Sequence, residues 1–210
     1  ALVFTDQQYY DTVRNAYRMD ELITRHGEIM NRYDPQKRVS LVVDEWGTWH
    51  LVEEGTNPGF LYQQNAMRDA IVAGLTLNIF NKHTDRVRMA NIAQTINVLQ
   101  AVALTDGEQM LLTPTYYVFK MYKDHQENTL LGSYITSRNI IDNGTLPHLI
   151  ESASIKADGT IISTIVNTSM TEAAEVDCQI ADFQVKGIVA EVLTGDAHDH
   201  NTFENKDVVK

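Results

Sequence analysis

The sequence of 210 residues contains one cysteine, Cys178, which excludes an intrachain disulfide. Cys178 lies in AEVDCQIADF, an alternation of apolar and polar residues that is typical of a strand. We therefore expect a buried structural thiol. A catalytic thiol would need a partner base, and the sequence nominates none.

Long apolar runs and clustered positive charge are also lacking. No run is long enough to cross a bilayer, and the chain opens on ALVFTD with neither a methionine nor a signal-peptide pattern. The 17 lysines and arginines are outnumbered by 28 aspartates and glutamates, and the formal net charge is −11. Because the basic residues are interleaved with acids, we expect no nucleic acid and no membrane as a partner.

The first part of the chain alternates helix and strand patterns. Thr5 and Gln8 predict a capping box that starts a helix, and Asp34-Pro35 predicts its end. RVSLVVDEW reads as a strand buried on both faces, as in a parallel sheet. YQQNAMRDAIVAGLTLNIFNK predicts a second helix with one apolar face, and DRVRMANIAQ predicts a second strand. A third helix opens at Thr113-Pro114 and runs through TYYVFKMYKDHQ.

The second part reads as antiparallel β-structure. ASIKADGTIISTIVNTS predicts a hairpin with a turn at Asp158-Gly159, and AAEVDCQIADFQVKGIVAEVLTGD continues the alternation. The fold class is therefore α/β plus all-β. Two parallel strands cannot close a β/α barrel, which needs eight. Either the chain is part of something larger or partners complete it.

Three stretches carry a resemblance to a known family. VVDEWGTWH, NPGFLYQQNAMRDAIVAGLTLNIFNKHTDRVRMANIAQTINVLQA and LTPTYYVFKMYKDHQ resemble the glycoside hydrolase family 51 α-L-arabinofuranosidases. The likeness covers nearly the whole chain and is strongest from Val39 to His125. It implies a (β/α)8 TIM barrel followed by an antiparallel β-sandwich of jelly-roll type. On that mapping, residues 1–126 hold barrel strands 7 and 8 with their flanking helices, and residues 127–210 hold part of the C-terminal sandwich domain.

The resemblance assigns roles to three residues. Glu45, at the C-terminal end of VSLVV, matches the catalytic nucleophile of the family's DEW motif, and β/α barrels carry their active sites at that end. A retaining glycosidase uses such a carboxylate to attack the anomeric carbon, while a second carboxyl group protonates the leaving oxygen. Trp49 matches a tryptophan that lines the sugar site. Gln94 matches a glutamine that hydrogen-bonds the arabinofuranosyl hydroxyls.

The residues alone leave simpler interpretations open. Glu45 at a strand end is compatible with an ion pair to a neighbouring arginine, Trp49 with packing, and Gln94 with an ordinary loop position. Asp44 should form a structural pair, and Trp46 should pack to hold the strand end.

Two polar clusters are expected to have structural rather than catalytic roles. The first is expected to form a buried or interface ion network and comprises His83, Asp85, Arg86 and Arg88. The second, with His198, Asp199 and His200, resembles a metal-ligand tract but lacks a third and fourth ligand. We expect no metal and no cofactor.

The resemblance also predicts what the chain does not carry. The Asn-Glu pair that supplies the family's acid/base is absent from the sequence, and the resemblance places it upstream of Ala1. We expect the C-terminal portion of a retaining exo-α-L-arabinofuranosidase, inactive on its own, whose parent cleaves terminal α-L-arabinofuranosyl residues from arabinoxylan or arabinan. Alternatives are a β-xylosidase or endoglucanase specificity and a non-catalytic, self-associating chain. We expect a homo-oligomer, in the cytoplasm or the periplasm.

Overall fold

A computed structural model of the chain describes residues 1–140, 146–182 and 184–210. Within these residues the helices are α1 (Asp6–Tyr17), α2 (Met19–Tyr33), α3 (Met67–Lys82) and α4 (Pro114–Tyr122). The strands are β1 (Leu41–Trp46), β2 (Val87–Ile92), β3 (Ala103–Asp106), β4 (Gln109–Leu112), β5 (Thr129–Leu131), β6 (Leu149–Ile155) and β7 (Ile161–Asn167). No helix in this part of the chain is long and apolar enough to span a membrane.

The predicted first helix is two helices. The capping box of Thr5 and Gln8 is present, and α2 ends at Tyr33 before Asp34 as expected. The single-helix prediction is wrong because the helix is interrupted at Arg18, which caps α1 and precedes α2. Both helices contact α3 and contribute buried apolar residues to the main hydrophobic cluster.

Helix α3 lies at the centre of the molecule. It contacts α1, α2, α4, β6 and β7, and it is buried on nearly all sides rather than along the one predicted face. Ala73 and Leu75 have no exposed surface. A helix covered on nearly all sides belongs in a core, and the main hydrophobic cluster accordingly includes residues from Phe4 to Val209.

Strands β1 and β2 pair in parallel, as predicted, with Leu41 opposite Val87 and Trp46 opposite Ile92. The prediction of burial on both faces is wrong for the described chain. Val42 is 43% exposed and Met89 is 54% exposed. Helices cover one face of this two-stranded sheet, and no described element covers the other.

The C-terminal part is an antiparallel sheet in the order β5-β6-β7. The predicted hairpin is confirmed, with Ile155 opposite Ile161 across the loop that contains Asp158-Gly159. The prediction of further strands is wrong for the described residues after Asn167, and Phe183 lies outside them. Alternation makes a strand only where a neighbouring strand satisfies the backbone. Cys178 is consequently exposed, and its predicted burial is wrong.

Candidate active site

Strand β1 ends in an exposed glutamate, Glu45, followed by a buried tryptophan, Trp46. The next residue, Trp46, is 5% exposed, and its ring lies 5.5 Å from Phe80 of α3 and 6.0 Å from Phe119 of α4. Trp46 therefore packs as predicted. The strand is irregular between Val43 and Trp46, and the side chain of Glu45, unlike that of Trp46, is exposed.

Gln94 stands at the same end of the neighbouring strand. The N–H of Ala93 donates to the carbonyl of Trp46 at 2.8 Å, which joins the ends of β1 and β2. The Ala93–Gln94 peptide bond is cis, and the Gln94 side chain is exposed. The fold thus brings Glu45 and Gln94 to adjacent parallel strand ends.

Trp49 follows a turn that requires glycine. Gly47 has φ +138°, and a Cβ there would lie 3.3 Å from Oε1 of Gln100 and 3.5 Å from the carbonyl oxygen of Ala93. Only glycine adopts such a backbone without strain. Beyond this turn Trp49 is 69% exposed, so its ring is open to a ligand.

A fully buried amide, Gln100, lies beneath the turn. Its side-chain Oε1 accepts from the backbone N–H of Thr48 at 2.8 Å, and the backbone N–H of Gln100 donates to the carbonyl of Ala93 at 2.7 Å. Its Nε2 donates to the carbonyl of Asp69 at 2.7 Å. Gln100 therefore joins the loop after β1, the loop after β2 and the first turn of α3.

A buried carboxylate, Asp69, completes this support. Its Oδ1 accepts from Oγ1 of Thr48 at 2.8 Å and lies 3.0 Å from Nε2 of His50, while its Oδ2 accepts from the N–H of Ala66 at 2.9 Å. Burial raises the pKa of Asp69, but the hydrogen bond with His50 and the charge of Arg68 outweigh it and lower that pKa overall. Asp69 is therefore an anion at neutral pH.

Gln63 closes the network from the other side. Its Oε1 accepts from the N–H of His50 at 2.8 Å, and its Nε2 donates to the carbonyl of Thr48 at 3.2 Å. Sequence reasoning missed these supporting residues. The sequence did contain a signal: in YQQNAMRDAIVAGL the polar residues QQN and RD stand directly before an apolar stretch of the helix. Polar residues in such a position are buried with it, and buried polar groups need hydrogen-bond partners.

A cleft of about 710 Å³ opens beside Gln94, a size common for ligand sites. Aromatic side chains of Phe60, Tyr62 and Phe203 line it together with the carboxylate of Asp106.

The remaining predicted clusters lie elsewhere. His83 lies 2.7 Å from Asp20, and Arg86 lies 2.8 Å from Asp34. Asp85 pairs with Lys37. The predicted ion network is therefore wrong as a single network: His83, Asp85 and Arg86 form separate ion pairs with residues outside the cluster, of which only that of Arg86 is buried, and Arg88 is exposed with no ion-pair partner among the described residues.

The structural pair expected for Asp44 is wrong, since this carboxylate is exposed and unpaired within the described chain. His198 stacks on Phe4 with ring centroids 4.0 Å apart and hydrogen-bonds Asp196. In the described ranges, no three histidine, cysteine or acidic side chains form a group that could hold a metal ion.

Comparison with known proteins places this chain in a family. Residues 44–210 match the family described as the α-L-arabinofuranosidase C-terminal domain. The chain is 44% identical to an intracellular exo-α-L-arabinofuranosidase of Bacteroides ovatus, over 100% of this chain and 41% of that protein. An exo-α-(1→6)-L-arabinofuranosidase of Bifidobacterium longum is 28% identical over 81% of this chain and 36% of its own length.

Solved structures give the same result. The GH51 arabinofuranosidase of Xanthomonas axonopodis pv. citri superposes with a TM-score of 0.86 at 41% identity, covering 99% of this chain and 42% of that one. An α-L-arabinofuranosidase of Thermotoga maritima, solved with arabinose, gives 0.79 at 26% identity, covering 98% and 45%. The chain spans about two fifths of the length of these relatives. It belongs to the α-L-arabinofuranosidase C-terminal domain family.

Proposed function

We propose that this chain is the C-terminal part of a retaining exo-α-L-arabinofuranosidase and that Glu45 is its catalytic nucleophile. One observation carries the proposal: Glu45 is exposed at the C-terminal end of a parallel strand, with Gln94 at the end of the adjacent strand. Active sites of β/α architectures gather side chains at this end of the strands. The relatives named above are arabinofuranosidases, which supports arabinofuranose as the sugar that the enzyme cleaves.

The chemistry follows from the carboxylate. Glu45 attacks the anomeric carbon of a terminal α-L-arabinofuranosyl residue, and the leaving oxygen takes a proton from a second carboxyl group about 5–5.5 Å away. Water then releases arabinose from the glycosyl-enzyme, with net retention of configuration. We infer that the second carboxyl group comes from a part of the enzyme outside these 210 residues.

Two further side chains hold the sugar. The amide of Gln94 offers both a donor and an acceptor to the sugar hydroxyls. The exposed ring of Trp49 offers an aromatic face to the apolar C–H surface of the sugar. The aromatic cleft next to Gln94 leaves room for the rest of the substrate, an arabinoxylan or arabinan chain.

We propose the following architecture for the full-length enzyme. Residues 1–126 contribute strands 7 and 8 of a (β/α)8 barrel, and residues 127–210 contribute part of a jelly-roll sandwich. The uncovered face of β1 and β2, with Val42 and Met89, is then the barrel interior, where further strands close the sheet. The name of the Bacteroides ovatus relative favours the cytoplasm over the periplasm.

The test is Glu45→Ala in the full-length enzyme. This variant should lose hydrolysis of an aryl α-L-arabinofuranoside, because the nucleophile is gone. Added azide should restore turnover and give a glycosyl azide of inverted configuration, since one displacement replaces two.

Glu54→Ala is the matched control, because Glu54 is an exposed loop carboxylate nearby in the sequence. It should keep wild-type kcat and KM. Retained activity in Glu45→Ala, or hydrolysis of an aryl β-xyloside in preference to the arabinofuranoside, would contradict the proposal.

A further inference from the structure

The loop after Glu45 is hydrogen-bonded to buried residues at Thr48, whereas the side chain of Trp49 in the same loop faces solvent. The backbone and hydroxyl of Thr48 make three hydrogen bonds to buried groups: to Gln100 at 2.8 Å, to Asp69 at 2.8 Å and from Gln63 at 3.2 Å. Trp49, the next residue, is 69% exposed. The loop is therefore fixed at Thr48 without any use of the Trp49 ring.

The same support reaches the second strand end. Gln100 donates its N–H to the carbonyl of Ala93, which immediately precedes Gln94. Its side chain connects Thr48 to the carbonyl of Asp69 in the first turn of α3. We call the hydrogen-bonded group of Thr48, Gln63, Asp69 and Gln100 the buried platform. This platform sets the positions of two loops, one after β1 and one after β2.

A second buried network of similar chemistry lies far from these loops along the chain. Asn78 of α3 accepts from Ser152 at 2.7 Å and from Thr164 at 2.6 Å, and Thr164 also hydrogen-bonds His125 at 3.1 Å. It joins α3 to the sheet of β5, β6 and β7, where none of the proposed site residues lies. The two networks share α3 and differ in what they support.

We propose that Thr48 and Asp69 are positioning residues for the reaction. Through the platform they hold Glu45, Trp49 and Gln94 in one geometry, and neither of them touches the reacting atoms. This inference rests on the proposed function. A displacement of about 1 Å in a catalytic group costs on the order of 100-fold in rate, so the loop needs such support.

The experiment compares Thr48→Val, Thr48→Ser and Thr164→Val in the full-length enzyme. Valine keeps the shape of threonine and removes the hydroxyl that donates to Asp69, whereas serine keeps the hydroxyl. Thr164→Val makes the same change in the remote network. Melting temperature, kcat and KM are measured on an aryl α-L-arabinofuranoside, well below each melting temperature.

Thr48→Val should lower kcat/KM by about 10- to 100-fold, and Thr48→Ser should stay within about 3-fold of wild type. Thr164→Val should lower the melting temperature and leave kcat and KM unchanged. Wild-type kinetics in Thr48→Val, or an equal loss in Thr164→Val, would overturn the inference. A wild-type enzyme without arabinofuranosidase activity would refute the proposed function instead.

His50→Phe is the second variant, for the case in which Thr48→Val does not fold. The His50 ring is 16% exposed and donates to the same Asp69 oxygen, so its replacement disturbs the core less. It should lower kcat/KM in the same direction. Unchanged kinetics in a folded His50→Phe enzyme would count against the platform.

Discussion

Gly74 lies in the middle of α3, where a methyl group has no room. A Cβ there would lie 2.9 Å from Cγ2 of Val166 in β7 and 3.4 Å from the hydroxyl of Tyr122 in α4. The β-branched side chain of Val166 cannot rotate away cheaply. The Tyr122 hydroxyl donates to the carbonyl of Gly74 at 3.0 Å. Gly74→Ala must therefore displace β7, α4 or both.

The magnitude follows from three contributions. Alanine in place of glycine gains about 1 kcal/mol of helix propensity. Overpacking costs about 1–3 kcal/mol, and a weakened buried hydrogen bond costs about 1 kcal/mol more. We therefore expect Gly74→Ala to lower the free energy of unfolding by about 1–3 kcal/mol. Gly27→Ala in α2, where nothing lies within 4 Å of the added Cβ, should raise it by about 0.5–1 kcal/mol.

The assay is urea denaturation of wild type and both variants at one protein concentration, followed by tryptophan fluorescence, to which the buried Trp46 contributes. The two midpoints should move in opposite directions from the wild-type midpoint. A Gly74→Ala variant as stable as Gly27→Ala would refute the packing described around α3.

Three further predictions follow from other parts of the molecule. Gly47→Ala in the full-length enzyme should lower kcat/KM by about tenfold or more, because its φ of +138° is strained for alanine; unchanged steady-state kinetics would contradict this. The hydrogen bond to the carbonyl of Phe4 and, second, the carboxylate of Asp196 raise the pKa of His198. The protonated imidazole therefore stabilises the fold fully below about pH 6.5, and this stabilisation is lost as the pH rises through the raised pKa of the folded state. The melting temperature of wild type relative to His198→Gln should therefore be higher at about pH 6 than at about pH 9, and a pH-independent difference would refute it. The isolated 210-residue chain should self-associate through the uncovered face of β1 and β2, and Val42→Lys should reduce this association; light scattering that shows a monomeric wild-type chain would contradict it.

Local chemistry is what the sequence predicts best. The capping box of Thr5 and Gln8, the proline at the start of α4 and the Asp158-Gly159 hairpin were all predictable. Each depends on residues only a few positions apart, so tertiary contacts do not need to be known.

The failures share a dependence on distant partners. AEVDCQIADF alternates like a strand, yet its described residues pair with no neighbour, so Cys178 is exposed. The interruption at Arg18 separates two helices that both contact α3, and local periodicity does not contain such contacts.

The candidate site divides in the same way. The resemblance nominated Glu45 and Gln94, and the fold places them at adjacent strand ends. Three hydrogen bonds of the supporting platform connect residues that are far apart in the sequence. The separation is 21 positions for Thr48 and Asp69, 31 positions for Asp69 and Gln100, and 52 positions for Thr48 and Gln100. Pairings at that separation are fixed by the fold, and single-residue patterns do not contain them.

The central claim is that Glu45 forms the covalent bond to the sugar. The most direct measurement is to trap that intermediate in the full-length enzyme with an activated 2-fluoro arabinofuranoside, whose fluorine slows release of the sugar. Peptide mass spectrometry with fragmentation then locates the added mass. Our account predicts one sugar per active site, attached to Glu45. A sugar on any other carboxylate, or a product of inverted configuration with no covalent adduct, would contradict it.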